Sequence, residues 1–175
     1  GAGVVYLAYK EYRNQFMDII AGIATIGDMV DLSYGTINRS LVKIALHTLN
    51  RSTIENDKLR YFLSKSIYDF GRRKITETDF GFSVCPMINS ISRMGRPELI
   101  QQYFDINNSK DKETFEEIKA LNALRKHKQQ EGEETIDSIK DSIEHNKINI
   151  FVLDNIPSGV IGWVSSYALN KYDVD

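Results

Sequence analysis

Between Phe16 and Leu32 lies the most apolar stretch of the chain, with Asp18, Asp28 and Asp31 as its only charged residues. Phe16, Met17, Ile19, Ile20, Ile23, Ile26, Met29 and Val30 would point all round a helix, so the spacing predicts a buried helix from about Gln15 to Asp28. Whatever else the chain does must be arranged around that helix. A carboxylate in such surroundings needs a hydrogen-bond donor, a cation or a metal. Asp28 is therefore read in two ways. It caps the next turn, or it gives an oxygen to a hard divalent ion.

The rest of the chain reads as mainly α. Gly3 to Tyr12 is expected as a short helix with Val4, Val5, Leu7 and Ala8 inward. Asp31 to Asn38 is a polar turn. Glu55 to Phe70 is amphipathic, with Leu59, Phe62, Leu63, Ile67 and Phe70 at helical spacing and Gly71 as its stop. Arg72, Arg73 and Lys74 follow, either answering the helix dipole or forming a track for a phosphate backbone. A helix is expected to begin near Val84, to hold Pro86 in its first turn, and to carry Asn89 and Arg93 four apart on one face. Pro97 to Phe104 reads as another short helix.

Past residue 106 the composition shifts to Lys, Glu, Asp and Gln. Sparse but spaced apolar residues (Phe115, Ile118, Leu121, Leu124, Ile136, Ile139, Ile143) predict a long, mostly solvated helix over 110–146, with Gly132 as a weak point or break. Ile148 to Leu153 is the one segment read as a strand. Ser158 to about Tyr172 closes the chain as a helix, whose start after a strand favours an anion.

Four stretches, in one order, resemble the RecJ-type single-strand exonucleases of the DHH phosphoesterase superfamily. Ala24 to Leu32, preceded by Asp18-Ile19-Ile20-Ala21-Gly22, resembles a family motif reading roughly D-L-V-A-L-G-T-I-A-D-V-V-P-L, and Asp28 falls on its second Asp. Asn38-Arg39, then Leu41-Val42, resemble N-R-x-L-V-x-x-G-L, departing at the glycine, where Ala45 stands. Asp79 to Met94 resembles D-I-G-F-x-I-G-P-R-L-N-A-A-G-R-M, with Asp79, Gly81, Phe82, Pro86, Asn89, Arg93 and Met94 coinciding. Ser158 to Ser166 resembles H-P-G-V-I-G-I-V-A-S-R, with Pro157 and Tyr167 where the family often has His and Arg.

The resemblance implies a central slice of such an enzyme. Residues 1–105 would be the second half of the DHH domain, 106–147 the connecting helix, and 148–175 the start of the DHH-associated domain. It implies Asp28 as a metal ligand, and Asn89 and Arg93 at the active-site rim. Arg72, Arg73, Lys74, Arg96, Ser158, Gly159, Gly162 and Ser166 would be nucleic-acid contacts. It implies 5′–3′ hydrolysis of single-stranded DNA with two divalent ions, Mn2+ or Mg2+, about 3.5–4 Å apart. The Asp-x-Asp and DHH signatures that precede this region in the family are absent. The fragment by itself is therefore expected to be inactive, its site completed by an N-terminal half or another chain. Rival readings are another DHH phosphoesterase, acting on oligonucleotides or pyrophosphate, and a non-enzymatic helical scaffold.

Composition limits the remaining options. A net charge of −2 means that any polyanion site must be a local patch. No apolar run is long enough to span a membrane. The single cysteine, Cys85, fits a cytoplasmic protein in which it is a small buried hydrophobe. His47, His127 and His145 are scattered, without zinc spacing.

Overall fold

A computed structural model describes residues 1–143 and 148–172. Among them the chain is mainly helical, with no strand and only an isolated bridge between Phe70 and Arg73. It divides into two compact units: Gly1–Ile88 with Tyr103–Asp111, and Asn89–Gln102 with Lys112–Asp175.

In the first unit the chain folds around α2 (Gln15–Gly27), which follows α1 (Ala2–Ala8). The Asn14 side chain starts α2 by accepting the Met17 N–H (2.9 Å), and Thr36 does the same for Arg39 at the start of α3 (Ile37–Arg51; 3.2 Å). Ile19, Ala21, Ile23 and Thr25 of α2 and Leu41, Val42 and Ala45 of α3 are buried. The two helices cross at Gly22, where an added Cβ would lie 2.3 Å from that of Ala45 and 3.2 Å from the Leu41 carbonyl.

The inward face of α1 differs from expectation. Val4, Val5 and Leu7 are 69, 54 and 41% exposed, and Tyr6 is the buried residue. Gly3 lies against Leu41, and the Tyr6 hydroxyl donates to Asp18 (2.6 Å) while Arg13 covers its ring (4.2 Å). Satisfying a half-buried carboxylate thus decides which face of this short helix turns in.

Helix α4 (Asp57–Ser66) buries Leu59, Phe62 and Leu63 and stops before Phe70. Asp69 and Gly71 take positive φ (56° and 79°), so the chain leaves the helical path earlier than the apolar spacing implied. Tyr103 packs edge-on to Phe62 (5.5 Å) and donates to the Lys58 carbonyl (2.7 Å).

A single α-turn, α5 (Glu77–Asp79), opens the next segment through a capping box between Thr76 and Asp79. It runs into a π-helical turn, Phe80–Val84, and then α6 (Cys85–Arg93). The wide turn lies just before Pro86, which has no N–H to return to a carbonyl four residues back. It also holds Cys85 against α2, where the thiol donates to the Ile23 carbonyl (3.5 Å).

In the second unit, α7 (Glu98–Phe104) begins beside Arg96, whose guanidinium pairs with Glu98 (2.5 Å) and Glu117 (2.7 Å). Helix α8 (Asp111–Ser138) passes through Gly132 unbroken. An added Cβ there would lie 2.5 Å from Val164 of α9 (Ser158–Tyr172), so Gly132 is a close-packing position and not a break. Glu133 accepts from the Trp163 indole (2.6 Å), and Asp137 accepts from Lys171 (2.8 Å), Tyr167 and Tyr172. These pairings rise together in number, so the two helices run in the same sense.

The expected strand is not formed. Residues 148–153 are irregular, with Ile148, Ile150 and Val152 at least 85% exposed and Phe151 and Leu153 against the α8–α9 core. A β-rich run becomes a strand only with a second strand to bond, and the described residues provide none. The end of the expected long helix, Glu144 to Asn146, and His145 lie outside the described residues.

Candidate functional site

Asp28 follows the last residue of α2, its N–H returning to the Ala24 carbonyl (2.9 Å). Met29 then takes φ +50°, so the chain turns away and leaves the carboxylate exposed. It borders a depression of about 280 Å³ beside Gly1, Thr25, Val30, Ile37 and Asn38. Of the three acids of the apolar stretch, Asp18 accepts from Tyr6 and Asp31 from Ser33 (2.9 Å to the N–H). The Asp28 carboxylate has no hydrogen-bond partner among the described residues; only its backbone N–H is engaged, where it closes α2. Its charge is felt by Cys85, where burial first and Asp28 second push the thiol up to about 11.

An exposed carboxylate can give one oxygen to a divalent ion. No group of three His, Cys, Asp or Glu that could hold a metal ion stands together among the described residues. Arg39 has no carboxylate partner among the described residues; it donates to the Leu32 carbonyl (3.2 Å) and closes the turn after Asp28.

The basic cluster is divided in its duties. Arg73 forks onto Asp79 (2.8 and 2.5 Å), and Arg72 lies 3.6 Å from Asp69. That fork, the first cause, together with the Thr76 hydrogen bonds, holds the Asp79 carboxyl down at about 2. Since α4 ends at Ser66, the cluster does not answer that helix's dipole. Arg72 and Lys74 border a groove of about 510 Å³ with Asn50, Thr53 and Arg60.

In the second unit, Asn89 and Arg93 stand one turn apart on α6, and Arg93 is exposed without an ion-pair partner among the described residues. The helix ends where Arg96 N–H reaches the Ile91 carbonyl and Gly95 takes φ 77°. An added Cβ on Gly159 would lie 2.5 Å from the Arg93 carbonyl, so Gly159 lets the first turn of α9 rest on the last turn of α6. Arg93, Ser158 and Gly159 are thus brought together. Gly162 has open space around it, and Ser166, one turn on, bonds back to the Gly162 carbonyl (2.9 Å). Arg96 is held by its two glutamates.

Two residues whose burial the sequence reading did not foresee are Arg125 and Gln129, each 8% exposed on α8. The signal was available in their spacing. Residues 125, 129, 132 and 136 recur at helical intervals, so the polar pair continues the stripe of Gly132 and Ile136.

The fold is shared with RecJ of Thermus thermophilus, solved in complex with Mg2+. The match has a TM-score of 0.72 at 22% identity and covers 91% of this chain and 24% of that one. The chain therefore spans about a quarter of that protein's length. No family model and no curated protein matches the sequence.

Proposed function

We propose that this chain is the central part of a RecJ-like, metal-dependent exonuclease that hydrolyses single-stranded DNA from the 5′ end. The observation that carries the reading is Asp28, an exposed carboxylate without a partner among the described residues at the end of the central helix, in a fold shared with a RecJ solved in complex with Mg2+. In this reading Asp28 gives one oxygen to a divalent ion, Mg2+ or Mn2+. The remaining ligands come from polypeptide outside these residues, on the same or another chain.

The ion would supply the activation of water and the stabilisation of a leaving oxygen. This chain's own residues would bind and orient the strand. Arg93 offers a planar fork to a phosphate, Asn89 flanks it, and Ser158 and Gly159 present the start of α9. Residues 1–105 act as the second half of the catalytic domain, 106–147 as the connector, and 148–175 as the start of the associated domain. Among the described residues no helix is long and apolar enough to cross a membrane. A cytoplasmic setting is part of the proposal, in keeping with the single buried thiol.

The test is Asp28→Asn in the complete protein, followed by hydrolysis of single-stranded DNA with Mg2+ or Mn2+. Turnover should fall by at least about a hundredfold, as expected on losing a group that acts on the metal, with an unchanged melting temperature. Full turnover in the variant would remove Asp28 from the chemistry. Hydrolysis of dinucleotides but not longer strands would move the protein to another branch of the superfamily.

A further inference from the structure

Phe82 and Tyr68 are 83 and 82% exposed, although each belongs to a closely packed stretch: Phe80 and Val84 on either side of Phe82, and Ile67 beside Tyr68, are buried. A ring left in water contributes little to folding, and one scattered alone needs no account. These two are not scattered. The Arg73 guanidinium holds together the segments that carry them. It donates to the Tyr68 carbonyl (3.2 Å), to the Lys74 carbonyl (3.1 Å) and, by its fork, to Asp79, three residues before Phe82. A second tie runs from the Ser66 hydroxyl to Met87 Sδ (3.2 Å).

The surroundings add charge and place. Positive φ at Asp69 and Gly71 folds the chain back between the two ties, and Arg72 and Lys74 stand exposed on the way. Lys74 has no carboxylate partner among the described residues, and Arg72, its side chain 84% exposed, approaches Asp69 at 3.6 Å. The π-helical turn that carries Phe82 rests on the end of α2. A Cβ added to Gly81 would meet Ile26 at 3.6 Å, and one added to Gly27 would meet Cys85 Sγ at 3.3 Å. Asp28 is the next residue. Two exposed rings, two cations and the candidate metal ligand thus belong to one unit, on segments tied to one another.

We propose that Phe82 and Tyr68 are stacking platforms for the unpaired bases of a nucleic-acid strand whose phosphates are met by Arg72 and Lys74. A single strand exposes the flat faces of its bases, and an aromatic ring binds such a face whatever the base, while cations follow the linking phosphates. A duplex offers the same cations its phosphates but hides its bases in the stack, so the rings, and not the cations, make this surface selective for a single strand. The choice of ligand rests on the nuclease reading; the inference itself concerns binding and not hydrolysis.

The experiment measures binding of the 175-residue chain, at fixed salt, to a deoxyadenosine oligonucleotide, an abasic strand and a duplex, all of equal length. The parent should hold the base-bearing strand at least about tenfold more tightly than either of the others. Phe82→Leu keeps an apolar side chain but removes the ring face. It should lose roughly tenfold on the base-bearing strand and nothing on the abasic one, and Phe82→Trp should bind as the parent does. Lys74→Ala should weaken both strands alike and reduce the salt slope by about one. Because the rings are exposed, Phe82→Leu should melt within about 2 °C of the parent. Equal binding of base-bearing and abasic strands, no measurable binding of either, or parental binding by Phe82→Leu overturns the proposal. Should Phe82→Leu not fold, parental binding by Tyr68→Leu overturns it instead. The two readings fail separately. Turnover that survives Asp28→Asn removes the nuclease and leaves the binding result standing; turnover lost there, with parental binding by Phe82→Leu, sinks the platforms alone.

Discussion

Gly132 and Val164 meet so closely that one methyl group on the glycine would stand 2.5 Å from the valine Cγ2. A valine in a helix has essentially one side-chain rotamer and cannot swing aside. Gly132→Ala should therefore destabilise the chain by about 1–2 kcal/mol, overpacking outweighing the roughly 1 kcal/mol that alanine contributes to an exposed helix. Chemical denaturation measures this. Adding Val164→Ala should recover part of the helix-propensity gain, so the two changes should be non-additive.

Arg73 and Asp79 make stability pH-dependent in a known direction. The Asp79 carboxyl is lowered to about 2 against an ordinary value of about 3.9. A lowered carboxylate contributes stability that is complete above its unfolded value and lost as pH falls through the folded one. The gap in unfolding free energy between the parent and Asp79→Asn should thus be full above about pH 5 and close toward pH 2. At pH 7 it should be about 1.5 kcal/mol, the low end for hydrogen bonds to charged groups, because the Arg73 side chain is 42% exposed. A gap independent of pH would show that shape and not charge holds the pair.

Arg93 supports α9 through its backbone and not its side chain, which separates a binding role from a structural one. Arg93→Ala should leave the melting temperature within about 2 °C, as surface changes do. In the complete protein it should weaken single-stranded DNA binding by about 1.5–3 kcal/mol, or roughly ten- to a hundredfold. Arg93→Lys should recover only part, because an ammonium lacks the planar fork. Stability lost in step with binding would instead make Arg93 a structural cation.

The helices were legible where apolar spacing and caps agreed. Residues 15–27 and 158–172 formed as their patterns implied. The buried face of α8 was legible at Phe115, Ile118 and Ile136 but not at Arg125, Gln129 and Gly132, residues that the periodicity rule counts as solvent-facing or disruptive. Their burial depends on α9 arriving from thirty residues away. Val4, Val5 and Leu7 misled for the opposite reason. Apolar side chains spread around a seven-residue helix do not choose a face, and Tyr6 chose it by answering Asp18. At the candidate site, the position of Asp28 at a helix end follows from the sequence. Its exposure follows from the turn at Met29, a non-glycine residue at positive φ that no local pattern announces.

The crossing of α2 and α3 has room for a single methyl group. Gly22 and Ala45 share that allowance: Ala45 is wholly buried, and a carbon added to Gly22 would overlap it. Inheritance at these two sites is then that of a two-letter word, Gly–Ala or Ala–Gly, in which a change to either letter becomes neutral only after the other has changed. A path between the two spellings passes through Gly–Gly, a void, more easily than through Ala–Ala, a collision. Direction of drift at the centre of this fold is thus set by the asymmetry between an empty space and an occupied one.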